Sequence, residues 1–269
     1  MVIIDSEKCT GCGSCARDCF SRNIIIKDKK AQLVRAECIR CAHCVAICPA
    51  HAVELPEYDM ADVTALAASS IQADELLSFI KSRRSIRQYK DKPVEQELIR
   101  HIIEAGRYTP TASNRQATTF IVIEKEMRAF RALVMENLAD LGKAMLASDD
   151  TPRLLKGYAR RWLSIAEAYE NDPTQKDPLF FGVPAVILIA GDNPIDAGLA
   201  ASNMELLACA HGLGVLYSGF ITRGTASEKI KNAVGVPAGK EVLVTLLVGY
   251  PDVHYERTAP RKAADIVWS

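Results

Sequence analysis

The placement of the cysteines constrains this chain more than any other feature. Eight of its nine fall in one short stretch, as Cys9-x2-Cys12-x2-Cys15-x3-Cys19 and Cys38-x2-Cys41-x2-Cys44-x3-Cys48-Pro49. Each member of the first quartet maps onto one of the second by the same shift of 29 residues (9 to 38, 19 to 48). A [4Fe–4S] cube is held by four thiolates, three from a closely spaced run and one from a remote position. In two-cluster arrangements the fourth cysteine of each run serves the other cube. The spacing therefore predicts one cube on Cys9, Cys12, Cys15 and Cys48, and a second on Cys38, Cys41, Cys44 and Cys19. Zinc is the competing reading, because CxxC pairs are also zinc spacings, but four evenly spaced cysteines in each of two runs weigh for cubes. A disulfide framework fits less well, since the Met-Val-Ile-Ile-Asp start has neither the basic residues nor the apolar stretch of an export signal.

The quartets sit inside an internal repeat. Ile3-Ile4 opens one half and Leu33-Val34 the other, and Ile24-Ile25-Ile26 and Val53-Glu54-Leu55 follow their cysteine runs as short β ribbons would. Residues 1–56 resemble the bacterial 2×[4Fe–4S] ferredoxin, a domain too small to stand on its apolar core without cross-links. One departure is Phe20, which stands where the second half has Pro49. His43 and His51 lie near the second run and are read as bystanders, because both cubes already have four cysteines.

At 269 residues the chain suits one small domain followed by a full-sized one. We expect the ferredoxin-like domain over 1–56, a linker over 57–75 that includes the alanine- and serine-rich run from Ala65 to Ser70, and a second domain over 76–269. Lys+Arg 33 against Asp+Glu 33 gives a formal net charge of +0, which leaves no nucleic-acid footprint. No apolar run approaches the length of a membrane span. Oxygen-sensitive clusters without an export signal lead us to expect a cytoplasmic protein.

The second domain mixes helices and strands without strict alternation, which predicts an α+β layered fold. Asp74 is expected to cap a helix carrying Leu76, Leu77 and Ile80. An amphipathic helix from about Val94 shows Leu98, Ile99, Ile102 and Ile103 on one face, with Gly106 as its stop. Phe120 to Ile123, Ala185 to Ala190 and Val242 to Val248 read as buried strands, Asp196 to His211 as a helix, and 125–180 as charged and helical. Cys209 is read as a buried structural cysteine, and His211 as a cap or packing residue.

Two stretches carry candidate chemistry. Arg83-Arg84-Ser85-Ile86-Arg87 brings guanidiniums and a hydroxyl together as a phosphate-binding group, or else forms a solvated basic face. Thr109 to Gln116 contains Asn114 and Gln116, whose amides can read a heterocycle's edge, or else is a polar loop. In this order, with Tyr217-Ser218-Gly219-Phe220 and Ala259-Pro260-Arg261-Lys262, they resemble the FMN-dependent nitroreductase family over roughly residues 76–269. The resemblance implies that Arg83, Ser85 and Arg261 hold the FMN phosphate. It places Arg84 and Arg87 at the phosphate and the pyrimidine end of the ring, where positive charge raises the flavin's potential. Asn114 then meets the isoalloxazine edge with Gln116 in support, and the Ser218-Gly219 peptide approaches N5. Ala117-Thr118 stands where many members have Pro-Trp, and Ser218 where some have an acidic residue.

The family likeness further implies an intertwined homodimer, with the segment 251–269 as an arm reaching over the partner or packing on its own subunit. No dinucleotide fingerprint is present, because Gly212-Leu213-Gly214 follows a helix and Tyr217 takes the last glycine position. The expected function is an oxidoreductase that takes electrons from ferredoxin or NAD(P)H, receives them through two built-in clusters, and reduces a nitroaromatic, quinone or activated alkene. The alternatives are a non-enzymatic electron carrier or redox sensor, or another reaction of the superfamily such as reductive dehalogenation or flavin breakdown.

Overall fold

The computed structural model describes residues 1–66 and 71–269. Residues 67–70 of the expected linker, most of its alanine- and serine-rich run, thus lie outside the described residues. The chain divides into two compact units, Met1–Ser70 with Thr111–Arg115, and Ile71–Pro110 with Gln116–Ser269.

In the first unit β1 (Ile3–Ile4) is followed by α1 (Ser14–Asp18), β2 (Ile24–Lys27), β3 (Lys30–Leu33), α2 (His43–Ala46) and β4 (Val53–Glu54). The outermost strands pair with each other, Ile3 opposite Glu54, and β2 pairs with β3. The two-residue turn Asp28-Lys29 has φ values of 51° and 59°, the sign that tight hairpins need. The 29-residue repeat extends to the backbone. Left-handed residues recur in register at Gly11 and Arg40, Gly13 and Ala42, and Arg22 and His51. The apolar core is thin: one cluster joins Ile24, Ala31 and Ala52 to Cys9 and Cys15, and another joins Val2, Val45, Val53 and Leu55. Tyr58 and Met60, on the stretch expected to be linker, pack against the latter.

The second unit begins with α3 (Ala73–Ser82) and α4 (Gln96–Arg107). Then come β5 (Thr119–Ile123), α5 (Met127–Ala147), α6 (Arg153–Asn171), β6 (Ala185–Gly191) and α7 (Pro194–Ala210). Last are β7 (Gly214–Tyr217), α8 (Gly219–Gly224), α9 (Glu228–Val234) and β8 (Glu241–Gly249). The strands form an antiparallel sheet in the order β5-β6-β8-β7. Every residue of β6 is buried, so its apolar run serves both faces. Val186, Leu188 and Ala190 meet Phe130, Leu138 and Trp162 from α5 and α6, while Ala185, Ile187 and Ile189 meet Ile99, Ile102 and Met204 from α4 and α7. The result is the expected α+β layered domain. No helix among the described residues is long and apolar enough to cross a membrane.

Three local expectations are corrected. Gly106 does not stop α4 but lies inside it, and a Cβ there would come within 3.0 Å of Met204 and Phe120, so glycine is needed for close packing. Asp74 falls within the first turn of α3 after Gln72, where its charge faces the helix's positive end without making a capping bond. The strand around Phe120 is an edge strand in which only Ile123 is buried. Sequence periodicity also missed β7, α8 and α9, each too short for a pattern to show.

Candidate cofactor sites

In the first unit each expected quartet of cysteines lines one cavity, although no group of three or more metal-ligating side chains is drawn close enough among the described residues to hold a metal ion. Cys9, Cys12, Cys15 and Cys48 line one small hollow, walled by Ile4, Ile26 and Ala31. Cys19, Cys38, Cys41 and Cys44 line another with Val2, Leu33 and Leu55. The local backbone explains the wrapping: the left-handed residues Gly13 and Ala42 start α1 and α2, turning each chain around its hollow. Several peptide N–H groups aim at sulfur, Asn23 to Cys19 (3.3 Å), Ala52 to Cys48 (3.3 Å), Arg40 to Cys38 (3.3 Å) and Ala31 to Cys9 (3.4 Å). The first two are equivalent under the repeat.

Burial, reinforced by Cys41 and Cys38, pushes the Cys44 thiol up to about 11, and burial also raises Cys15. A thiol raised in this way gives up its proton on binding a metal, so metal uptake at these positions releases protons. His43 bonds Asp18 through Nδ1 at 3.2 Å and adjoins the second hollow without a place among its four sulfurs.

In the second unit the residues after α3 run beside β7. The Ile86 amide donates to the Val215 carbonyl (3.1 Å), and Ser85 forms a parallel bridge to Val215. This register brings Arg83 and Ser85 to the strand whose end carries Tyr217, Ser218 and Gly219. Arg83 forms an ion pair with Glu205 of α7, and both side chains are largely buried. Arg84 donates to the Lys81 carbonyl (3.0 Å). Even so, Nε of Arg83 and one terminal nitrogen of Arg84 are buried without a hydrogen-bond partner. Burial raises the Glu205 carboxyl and Arg83 pulls it back down. The Cys209 thiol, one turn on, is pushed up to about 11 by burial and then by Glu205. Cys209 is half-buried and otherwise fits its structural reading, and His211 caps α7 while meeting His101 at 2.9 Å.

Ser218 caps α8, its Oγ accepting from the Ile221 amide at 3.3 Å, and its own amide donates to Thr245. A Cβ on Gly219 would meet nothing within 4 Å, so this stretch of backbone borders open space. Phe220 beside it packs edge-on against Tyr158 and Trp162 of α6.

The remaining candidates are placed elsewhere. Arg87 is exposed. Arg261 is exposed in the C-terminal segment and donates to the Pro260 carbonyl at 3.4 Å, so no hydrogen bond joins it to Arg83 or Ser85. Asn114 belongs to the first unit, where its amide donates to the Arg40 carbonyl at 2.8 Å. Ser113, Asn114 and Gln116 all have left-handed φ, between 48° and 53°. Such conformations cost roughly 1–3 kcal/mol each and persist where surroundings enforce them. Sequence reasoning gave Glu205 no role. Its only signal is a carboxylate on a helix otherwise rich in alanine and leucine.

The model of the nitroreductase family matches residues 80–250. This chain belongs to that family. A 4Fe-4S dicluster domain matches residues 1–49. Among curated relatives, the FMN reductase [NAD(P)H] of Bacillus subtilis is 26% identical over 181 residues, 66% of this chain and 66% of that protein. Among solved structures, a nitroreductase with bound FMN from Bacteroides fragilis has a TM-score of 0.55 at 21% identity, covering 72% of this chain and 98% of that one. An oxidized iodotyrosine deiodinase bound to FMN and 3-iodo-L-tyrosine has a TM-score of 0.53 at 18% identity, covering 72% and 98%. At these identities the structures attest to the shared fold.

Proposed function

We propose that this nitroreductase-family chain is an FMN-dependent oxidoreductase whose N-terminal unit carries two [4Fe–4S] clusters as its electron input. The observation that carries the flavin reading is the pair of buried, unpartnered guanidinium nitrogens on Arg83 and Arg84. A buried donor without an acceptor costs about 1–3 kcal/mol, more when charged, and a phosphate supplies the acceptors that both lack. Ser85 adds a hydroxyl on the same segment, and Arg261 a further cation from the tail. The open space at Gly219 lets a flat ring approach the backbone. Asn114, with Gln116 behind it, is assigned to the ring's edge and Arg87 to its pyrimidine end.

When bound, the clusters pass single electrons and the flavin collects them in pairs for an organic acceptor. The chain's own contribution is binding and orientation. The arginines neutralise the phosphate, α8 holds the Ser218-Gly219 peptide rigid, and Tyr158, Trp162 and Phe220 form an apolar wall beside it. A homodimer is part of this reading. It is supported by the open apolar groove of Leu76, Phe79, Leu206 and Leu207, and by the exposed Ile266, Val267 and Trp268 of the tail.

The test is anaerobic reduction of the purified protein by reduced ferredoxin, and separately by NADH and NADPH, with flavin and cluster absorbance followed together. Nitroaromatic, quinone, enone and aryl halide acceptors are then added. Flavin reduction by ferredoxin alone supports input through the clusters. Equal reduction by NAD(P)H in protein lacking the N-terminal unit removes it, and purified protein without flavin or turnover makes the chain an electron carrier.

A further inference from the structure

The two halves of the first unit differ at one position that the repeat makes directly comparable. In the first half it is Gly11, with φ 70°, where a Cβ would stand 2.1 Å from the Lys29 carbonyl oxygen. In the second half it is Arg40, a side-chain-bearing residue held at φ 54°. Its amide donates to the Cys38 sulfur at 3.3 Å. Glycine adopts this backbone without help, and arginine does so only where its surroundings impose it.

Those surroundings are visible. The Arg40 carbonyl accepts from the Tyr58 hydroxyl at 3.2 Å and from the Asn114 amide at 2.8 Å, and the two donors lie 3.4 Å apart. All three residues belong to the first unit. Tyr58 follows the second cysteine run, and Asn114 arrives on the segment Thr111–Arg115, itself left-handed at Ser113 and Asn114. Asn114 lies outside the 29-residue repeat, and Tyr58 stands where the first half has Lys29, so this clamp is particular to the second half of an otherwise matched pair.

We propose that Asn114 and Tyr58 are positioning residues for the cluster on Cys19, Cys38, Cys41 and Cys44. By fixing Arg40 in the left-handed region they aim its N–H at Cys38. Hydrogen bonds to the sulfurs help set a cluster's potential, so the clamp makes this cluster easier to reduce and leaves its neighbour untouched.

The experiment is anaerobic potentiometry of the full-length holoprotein, with both clusters followed by EPR and flavin content measured on the same samples. The proteins are wild type, Tyr58→Phe, Asn114→Ala, and each change repeated in an Arg40→Gly background. Tyr58→Phe and Asn114→Ala are each expected to make one cluster about tenfold harder to reduce, ~59 mV for one electron, while the other stays put. In the Arg40→Gly background, where glycine holds the conformation unaided, the shift should vanish. No shift, an equal shift of both clusters, or a full shift that persists in the Arg40→Gly background overturns the proposal. Protein that shows the selective shift but contains no flavin keeps the clamp and removes the proposed flavin function, so the two failures are told apart. Loss of flavin with Asn114→Ala but not Tyr58→Phe separates Asn114's part at the ring from its part at Arg40.

Discussion

The two units solve the problem of a core in opposite ways. In the larger unit a seven-residue strand is buried end to end, and the sheet is covered on both faces. Its candidate flavin residues sit at the end of β7 and along a neighbouring segment, outside that core. In the smaller unit the places where a core belongs are hollows lined by cysteine sulfur, and the apolar clusters are remnants around them. One unit is a fold that carries a site. The other is a pair of sites that require a fold.

Removing the clusters tests that contrast most severely. Chelation or oxidation of the iron should abolish amide-exchange protection through the first unit while β6 and β8 keep theirs. Persistent protection at Ile24 and Val53 would show a core independent of metal. In the converse experiment Ile187→Ala, at a site with no exposed surface, should cost about 2–5 kcal/mol in the unfolding of the second unit. Cluster absorbance should survive, and its loss in parallel would mean that the units do not stand apart.

Arg84→Ala sharpens the distinction between site and core. It should weaken FMN binding by about 1.5–3 kcal/mol, read by flavin titration, with little change in melting of the flavin-free protein. The smallest effect concerns pH. Burial raises the Glu205 carboxyl, so it keeps its proton to higher pH in the folded than in the unfolded chain. Stability of the flavin-free second unit should therefore fall as pH rises from about 4.5 through the folded value, and Glu205→Gln should flatten that slope. Denaturant midpoints followed by the emission of the buried Trp162 would measure it.

What could be read from the sequence depended on how locally each feature is specified. The cluster ligands stood out because a cube fixes its thiolate spacing along the chain, and each expected quartet lines one hollow. Long apolar strands were legible for the same reason. Gly106 was misread because glycine after a periodic run is the usual sign of a helix end, and nothing local reveals that Met204 and Phe120 press against it. The Arg83–Glu205 pair joins residues 122 positions apart, so the residue that holds the first candidate phosphate ligand could not be seen from either segment. Tyr58 was hidden differently, since it lies where composition suggests a connector and its partner is a backbone carbonyl.

The crossed pairing of the first unit has a consequence for synthesis. Its first strand waits for its last, and Cys48 completes the hollow that Cys9 begins, just as Cys19 waits for Cys38, Cys41 and Cys44. A nascent chain that has emerged only through residue 37 offers three ligands of one hollow and one of the other. Neither half of the repeat holds a complete quartet, and the hollow on Cys19, Cys38, Cys41 and Cys44 has all its ligands four residues before the one that needs Cys48. Asn114 emerges later still, after all eight sulfurs are in place.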